Sequence, residues 1–237
     1  MGEPTTILDA ATESFLDQNF HMAQVGRCVD GVAHDLNNYL GAVLAYAELI
    51  STEEGVDPNV RRMLDECSGA LRKATHLVAT LTMLARPSRE TMVHGDVGPL
   101  AERVFAMRQY DMRLHKIHGR FSSEGATGPV TMNQSSIAMA LVHLITHCIE
   151  RVTGTEGREI TLSVSGFSDR VEVFVWNSGP PIDADERAHL FDGGRTADGG
   201  SCMEPGLAHA RGFIEKHGGT LDYDASRGFI ARLPKSK

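Results

Sequence analysis

The chain has 237 residues, 31 of them acidic and 23 basic, with a formal net charge of -8. That length holds one large or two modest domains with real cores, and the acidic balance excludes a nucleic-acid binder, which needs clustered Lys and Arg against phosphate. Cys28, Cys67, Cys148 and Cys202 show no CxxC spacing, so neither a zinc site nor a disulfide framework is indicated, and a reduced, cytoplasmic setting fits.

No apolar run approaches the length of a membrane span, and MGEPTTILDAATE lacks the basic start and apolar core of a signal peptide. Gly2 to Thr6 matches the loose myristoylation pattern, and Asn133-Gln134-Ser135 is a formal glycosylation sequon. Both are short enough to arise by chance.

Residues 1–20 read as an arm or lead-in helix. A long helix is then expected from His21 to Ser51, because Val25, Val29, Val32, Leu36, Leu40, Val43, Ala47 and Ile50 recur at steps of three and four. His34 lies off that seam, with Asp35 beside it and Asn38 one turn on. A solvent-facing imidazole flanked by a carboxylate and an amide has the makings of a nucleophilic site, although most helix histidines merely fill surface. Glu53 to Pro58 forms a turn, where Asp57 is a good N-cap and Pro58 a good first helical residue. The second helix runs to Pro87 with its own seam: Val60, Met63, Cys67, Leu71, Ala74, Val78, Leu81 and Ala85. One such hairpin hides only part of its apolar surface, so a homodimeric four-helix bundle is expected over residues 21–87.

Arg86 to Asp96 breaks the pattern and reads as a linker, with residues 88–96 joining the hairpin to a second domain at 97–237. There Leu100–Leu114, Ser135–Val152 and Gly206–Lys216 read as helices. Ile117–Ser122, Val130–Met132, Ile160–Val164, Val171–Trp176, Thr220–Tyr223 and Phe229–Leu233 read as strands. The fold class is therefore α+β. His143 and His147 have the i, i+4 spacing of a metal pair, but no third ligand is evident and no metal is assigned.

Two stretches carry a resemblance. AQVGRCVDGVAHDLNNYLGAVLAYAELI is similar to the phosphoacceptor helix of two-component sensor histidine kinases. WNSGPPI, HLFDGG and PGLAHARGFIEKHGGTLDY, with ARLP after them, resemble the ATP-binding domain of the same family, a GHKL-type α/β sandwich. The resemblance implies that His34 is the phosphoacceptor, that Asp35 acts as its base, and that Asn38 helps orient a phosphoryl oxygen or a water. It implies a receiver-docking face at Asn37, Asn38, Gly41 and Ala45. Tyr39 stands where the family usually has a helix-kinking proline.

The nucleotide boxes depart from the family. The magnesium-holding Asn is replaced by His147, with Glu150 kept where an acid is common; the Asp that reads the adenine amine is Asn177, followed by Gly179 and then prolines. Glu204 and Pro205 precede Gly206 and Leu207 where a bare glycine backbone would cradle phosphates. The pairs Gly193-Gly194 and Gly199-Gly200 fall where the family has its lid. The expectation is thus no stably bound cofactor, ATP not used productively, and magnesium supplied by the partner. That makes the chain a phosphorelay protein exchanging a phosphoryl group between His34 and the aspartates of response-regulator receiver domains. An ATP-dependent autokinase, a receiver phosphatase and a scaffold are the alternatives.

Overall fold

The computed structural model describes residues 10–85, 91–124, 127–192 and 205–236. Two compact units divide the chain, Met1–Pro87 and Ser88–Lys237.

The first unit is a helical hairpin. Helix α1 spans Ala10–Thr52 without a break and α2 spans Pro58–Ala85, so the expected boundary near residue 20 is absent from the backbone. Asp57 accepts from the Asn59 amide at 2.7 Å at the start of α2, and Gly55, at φ +86°, turns the chain. The seam differs from the expected one. Ala33, Asn37, Leu40, Leu44 and Ala47 of α1 face Leu64, Ser68, Leu71, Thr75 and Val78 of α2, all of them buried or half-buried. Of the expected set, Leu40 and Ala47 lie on that face, whereas Val32, Leu36, Val43 and Ile50 stay exposed; Val25 lies outside the described side chains. Ala33 and Ala47 explain the shift, since their small side chains let the two backbones approach. Arg72 and Glu48 bridge the helices at 2.6 Å. Both partners are largely exposed, so this pair contributes little. No described helix is long and apolar enough to cross a membrane.

The second unit packs helices on one face of a sheet. β1 (Val93–Asp96) pairs antiparallel with β3 (Pro129–Met132) as a separate two-stranded ribbon. The expected linker is therefore partly a strand. The main sheet has the order β2-β4-β5-β7-β6, made of His118–Ser123, Glu159–Gly166, Arg170–Asn177, Gly228–Pro234 and Thr220–Asp224. Only the β2 to β4 pairing is parallel. Helix α3 (Val97–Leu114) is capped by Asp96, which accepts from Gly98 N at 2.9 Å. Helix α4 (Gln134–Val152) is capped by Asn133, whose side chain accepts from Ser136 N at 3.0 Å. Helix α5 is a single turn, Ala184–Ala188, and α6 spans Pro205–Glu215.

The core lies between α4 and the sheet. Ile137, Leu141, Leu144 and Ile145 meet Ile160, Leu162, Val173, Val175 and Phe229, all fully buried, each such side chain stabilising by about 1.5–3 kcal/mol. Glu172 is buried on β5 and is held by the guanidinium Nε of Arg170 at 2.8 Å and of Arg232 at 3.2 Å.

Gly228 sets the β6 to β7 turn at φ +78°, and a Cβ there would lie 2.8 Å from Trp176 Cα. Gly228→Ala should therefore lower unfolding stability by at least about 2 kcal/mol. Urea denaturation measures it, and an unchanged midpoint would contradict the packing described.

Candidate functional site

His34 stands on the exposed side of α1, its side chain 76% accessible and that of Asp35 69%. Asp35 Oδ1 lies 3.5 Å from His34 Nδ1 and Asn38 Nδ2 lies 3.3 Å from the same nitrogen. The two neighbours make opposite demands on it. Asp35 can only accept, so its contact requires the proton on Nδ1 and leaves the lone pair on Nε2. The Asn38 amide donates, so its contact requires the lone pair on Nδ1. Asp35 thus favours Nε2 as nucleophile, and Asn38 competes for the atom that Asp35 must hold.

Gly41 and Ala45 are exposed one and two turns on from Asn38, on the His34 face. Asn37 does not share that face: it is half-buried in the hairpin seam and its Oδ1 is buried without a hydrogen-bond partner. One residue along a helix is about 100° of rotation, so adjacent asparagines cannot both serve a docking surface centred on His34.

In the second unit, the residues expected around a nucleotide gather between α4, the end of β5 and α6. His147 is 6% exposed and meets Phe229 edge-on, ring centroids 5.3 Å apart. Phe229 also touches Tyr223 at 5.2 Å and Phe191 at 6.3 Å. Burial pushes the His147 imidazole down to about 4, with Arg151 adding to the effect and Glu186 and Glu150 opposing it. His143 is lowered too, by burial and then by His209, whose ring centroid is 6.1 Å away. A Cβ on Gly206 would lie 2.8 Å from His143 Nδ1, so this imidazole closes directly over the start of α6. Glu150 is exposed on the same helix. Glu204 and both glycine pairs lie outside the described residues.

Asn177 ends β5. Its Oδ1 accepts from Gly179 N at 2.9 Å, and its Nδ2 donates to Cys148 Sγ at 3.4 Å. Sequence reasoning missed Arg151, which pairs with Glu186 at 2.9 Å and donates to Pro180 O at 2.9 Å, clamping the proline loop onto the end of α4. Its partners lie 29 and 35 residues away, beyond any local pattern. Magnesium demands oxygen ligands in octahedral geometry, and a buried, neutral imidazole at position 147 does not fit it. Among the described residues no group of three or more His, Cys, Asp or Glu could hold a metal ion.

Residues 132–237 match the family of histidine kinase-, DNA gyrase B- and HSP90-like ATPases. The C-terminal unit therefore has the α+β fold of these ATPases. The sensor histidine kinase ZraS of Escherichia coli O157:H7 is 22% identical over 214 residues, covering 90% of this chain and 46% of that kinase. The chain thus spans less than half the length of this relative. The catalytic domain of histidine kinase ThkA is 25% identical with a TM-score of 0.53, over 61% of this chain and 97% of that domain. Histidine kinase ThkA in complex with response regulator protein TrrA shares the fold at 20% identity and a TM-score of 0.52, over 98% of this chain and 68% of that one.

The His147 imidazole binds a proton near 6.5 when unfolded and near 4 when folded. Between those values the unfolded chain holds more protons, so His147 stabilises the fold above pH 6.5 and that stability is lost as pH falls toward 4. The melting temperature of the wild type should drop across that window more steeply than that of His147→Leu; parallel curves would contradict the burial of a neutral ring.

Proposed function

We propose that this chain is the phosphoacceptor and nucleotide-binding core of a two-component histidine kinase, in which His34 takes the γ-phosphoryl group of a nucleoside triphosphate. The observation that carries the reading is the exposed His34 with Asp35 and Asn38 on one nitrogen. Sensor histidine kinases among the relatives favour this reading over the ATP-independent relay expected from the altered boxes. Asp35 holds the proton on Nδ1, the Nε2 lone pair attacks the γ-phosphorus, the bond to the β–γ bridging oxygen breaks, and the nucleoside diphosphate leaves. The Nε2 proton balance closes without a further base, because Nε2 carries none in this tautomer. A receiver aspartate then attacks the phosphorus and the P–N bond breaks. We assign the magnesium needed in that second step to the receiver, since position 147 does not fit it.

A response-regulator receiver is the expected partner, docking at Asn38, Gly41 and Ala45. The chain is also expected to dimerise. Val32, Leu36, Tyr39, Val43, Tyr46 and Ile50 form an uncovered stripe on α1, continued by Val60, Met63, Leu77 and Leu81 on α2. This stripe lies about 100° around α1 from the seam that faces α2, the spacing a helix needs to touch two neighbours in a four-helix bundle. The His34 face is left outside. Val43→Glu should convert a sedimenting dimer to a monomer, and a monomeric wild type would contradict the bundle.

The second reading, phosphoryl exchange with receivers and no nucleotide step, is favoured by His143 and His147 in the pocket. Incubation of the full chain with millimolar γ-labelled ATP or GTP and magnesium separates the two. Acid-labile label that disappears in His34→Ala is expected, falling by about 10²–10⁴-fold in Asp35→Asn as loss of a carboxylate that holds the imidazole tautomer does and not falling in Asn38→Ala. No label from either nucleotide would overturn the kinase reading and leave the relay.

A further inference from the structure

Sequence spacing pairs His143 with His147, and the fold separates them. His147 is 6% exposed and meets Phe229 edge-on, whereas His143 is half-buried and lies against the start of α6. Its ring neighbour there is His209, exposed on α6, with centroids 6.1 Å apart and planes inclined at 41°. Among the described residues neither imidazole has a hydrogen-bond partner. Side-chain polar atoms taken out of water are normally paired, so His143 is short of a partner on the side where His209 stands. Burial, and then His209, pull the His143 imidazole below its usual value. At neutral pH the ring is therefore uncharged and keeps a lone pair on one nitrogen, the form that ligates metals.

The spacing is close to what one cation needs. With metal-to-nitrogen bonds of about 2.0–2.1 Å, two imidazoles at a tetrahedral angle set their centroids about 5 Å apart. The remaining ångström or so is within reach of the exposed His209 side chain by rotation about its own torsions. We propose that His143 and His209 form a binding site for an imidazole-seeking divalent cation of the Zn²⁺ class, which joins α4 to α6. Among the described residues no third His, Cys, Asp or Glu completes the site. Water fills the remaining positions, so the cation exchanges, unlike one enclosed by four protein ligands. Imidazole suits Zn²⁺, Cu²⁺ and Ni²⁺, whereas Mg²⁺ takes oxygen ligands. The site is thus separate from any magnesium brought by a nucleotide or a receiver, and it requires neither the kinase nor the relay reading.

Calorimetric titration of the nucleotide-free full chain with Zn²⁺ at neutral pH, repeated in excess Mg²⁺, tests this. A site that Mg²⁺ does not displace is expected. Loss of an outer-shell partner costs about 10–100-fold in metal affinity, and loss of a ligand costs at least as much, so His143→Gln and His209→Gln should each weaken binding by about tenfold or more. His209 is exposed, so its variant folds and carries the test even where His143→Gln does not. Zn²⁺ should also raise the melting temperature of the wild type and leave that of His209→Gln in place. Zn²⁺ binding unchanged in His209→Gln puts the cation elsewhere on the chain and overturns the assignment. No binding at submillimolar Zn²⁺, or binding that Mg²⁺ abolishes, overturns it as well.

Discussion

A helix has one circumference, and α1 divides it among three demands. One face, from Ala33 to Ala47, closes against α2. A second, from Val32 to Ile50, is apolar and uncovered, and a third carries His34, Asn38, Gly41 and Ala45. Covering the first two, the second in the proposed dimer, would leave the third in water. Placing His34 one residue earlier would turn it into the hairpin, as the position of Ala33 shows. The exposure of the His34 face is thus a consequence of how the apolar faces are spaced.

The second unit shows the opposite strategy at α4, where His147 is buried and His143 half-buried. His147 meets Phe229 edge-on and loses its charge to burial, His143 presses on Gly206, and Arg151 ties both the proline loop and α5 to the end of α4. These contacts hold α4, the end of β5 and α6 together around a buried imidazole at position 147. The sheet and α4 rest on Ile145, Leu162, Val175 and similar core positions, all fully buried.

Much of this was legible in the sequence, for identifiable reasons. The hairpin, the main strands and α4 follow from periodicity, and the exposure of His34 from its place in it. The exact seam was not legible, because Val32, Leu36, Val43 and Ile50 belong to one stripe and Leu40 and Ala47 to another, and the two merge in a linear reading. Ala33 packs more tightly than any of them yet carries little hydrophobic weight. Asn37 does not share the docking face expected with Asn38, because one residue of rotation turns it into the seam. Strand β1 was missed because Val93 is its one large apolar residue and its order comes from backbone pairing with β3. The bond from Asn177 to Cys148 joins residues 29 apart that no local pattern connects.

The most direct test is phosphorus NMR of the full chain after phosphorylation, whether by a nucleoside triphosphate or by a phosphorylated receiver domain, with His34→Ala as control. The account predicts a single acid-labile phosphoramidate on His34 Nε2, absent in the variant. A phosphoryl group on Nδ1, or on any other residue, would contradict the role given to Asp35 and to the face that His34 occupies.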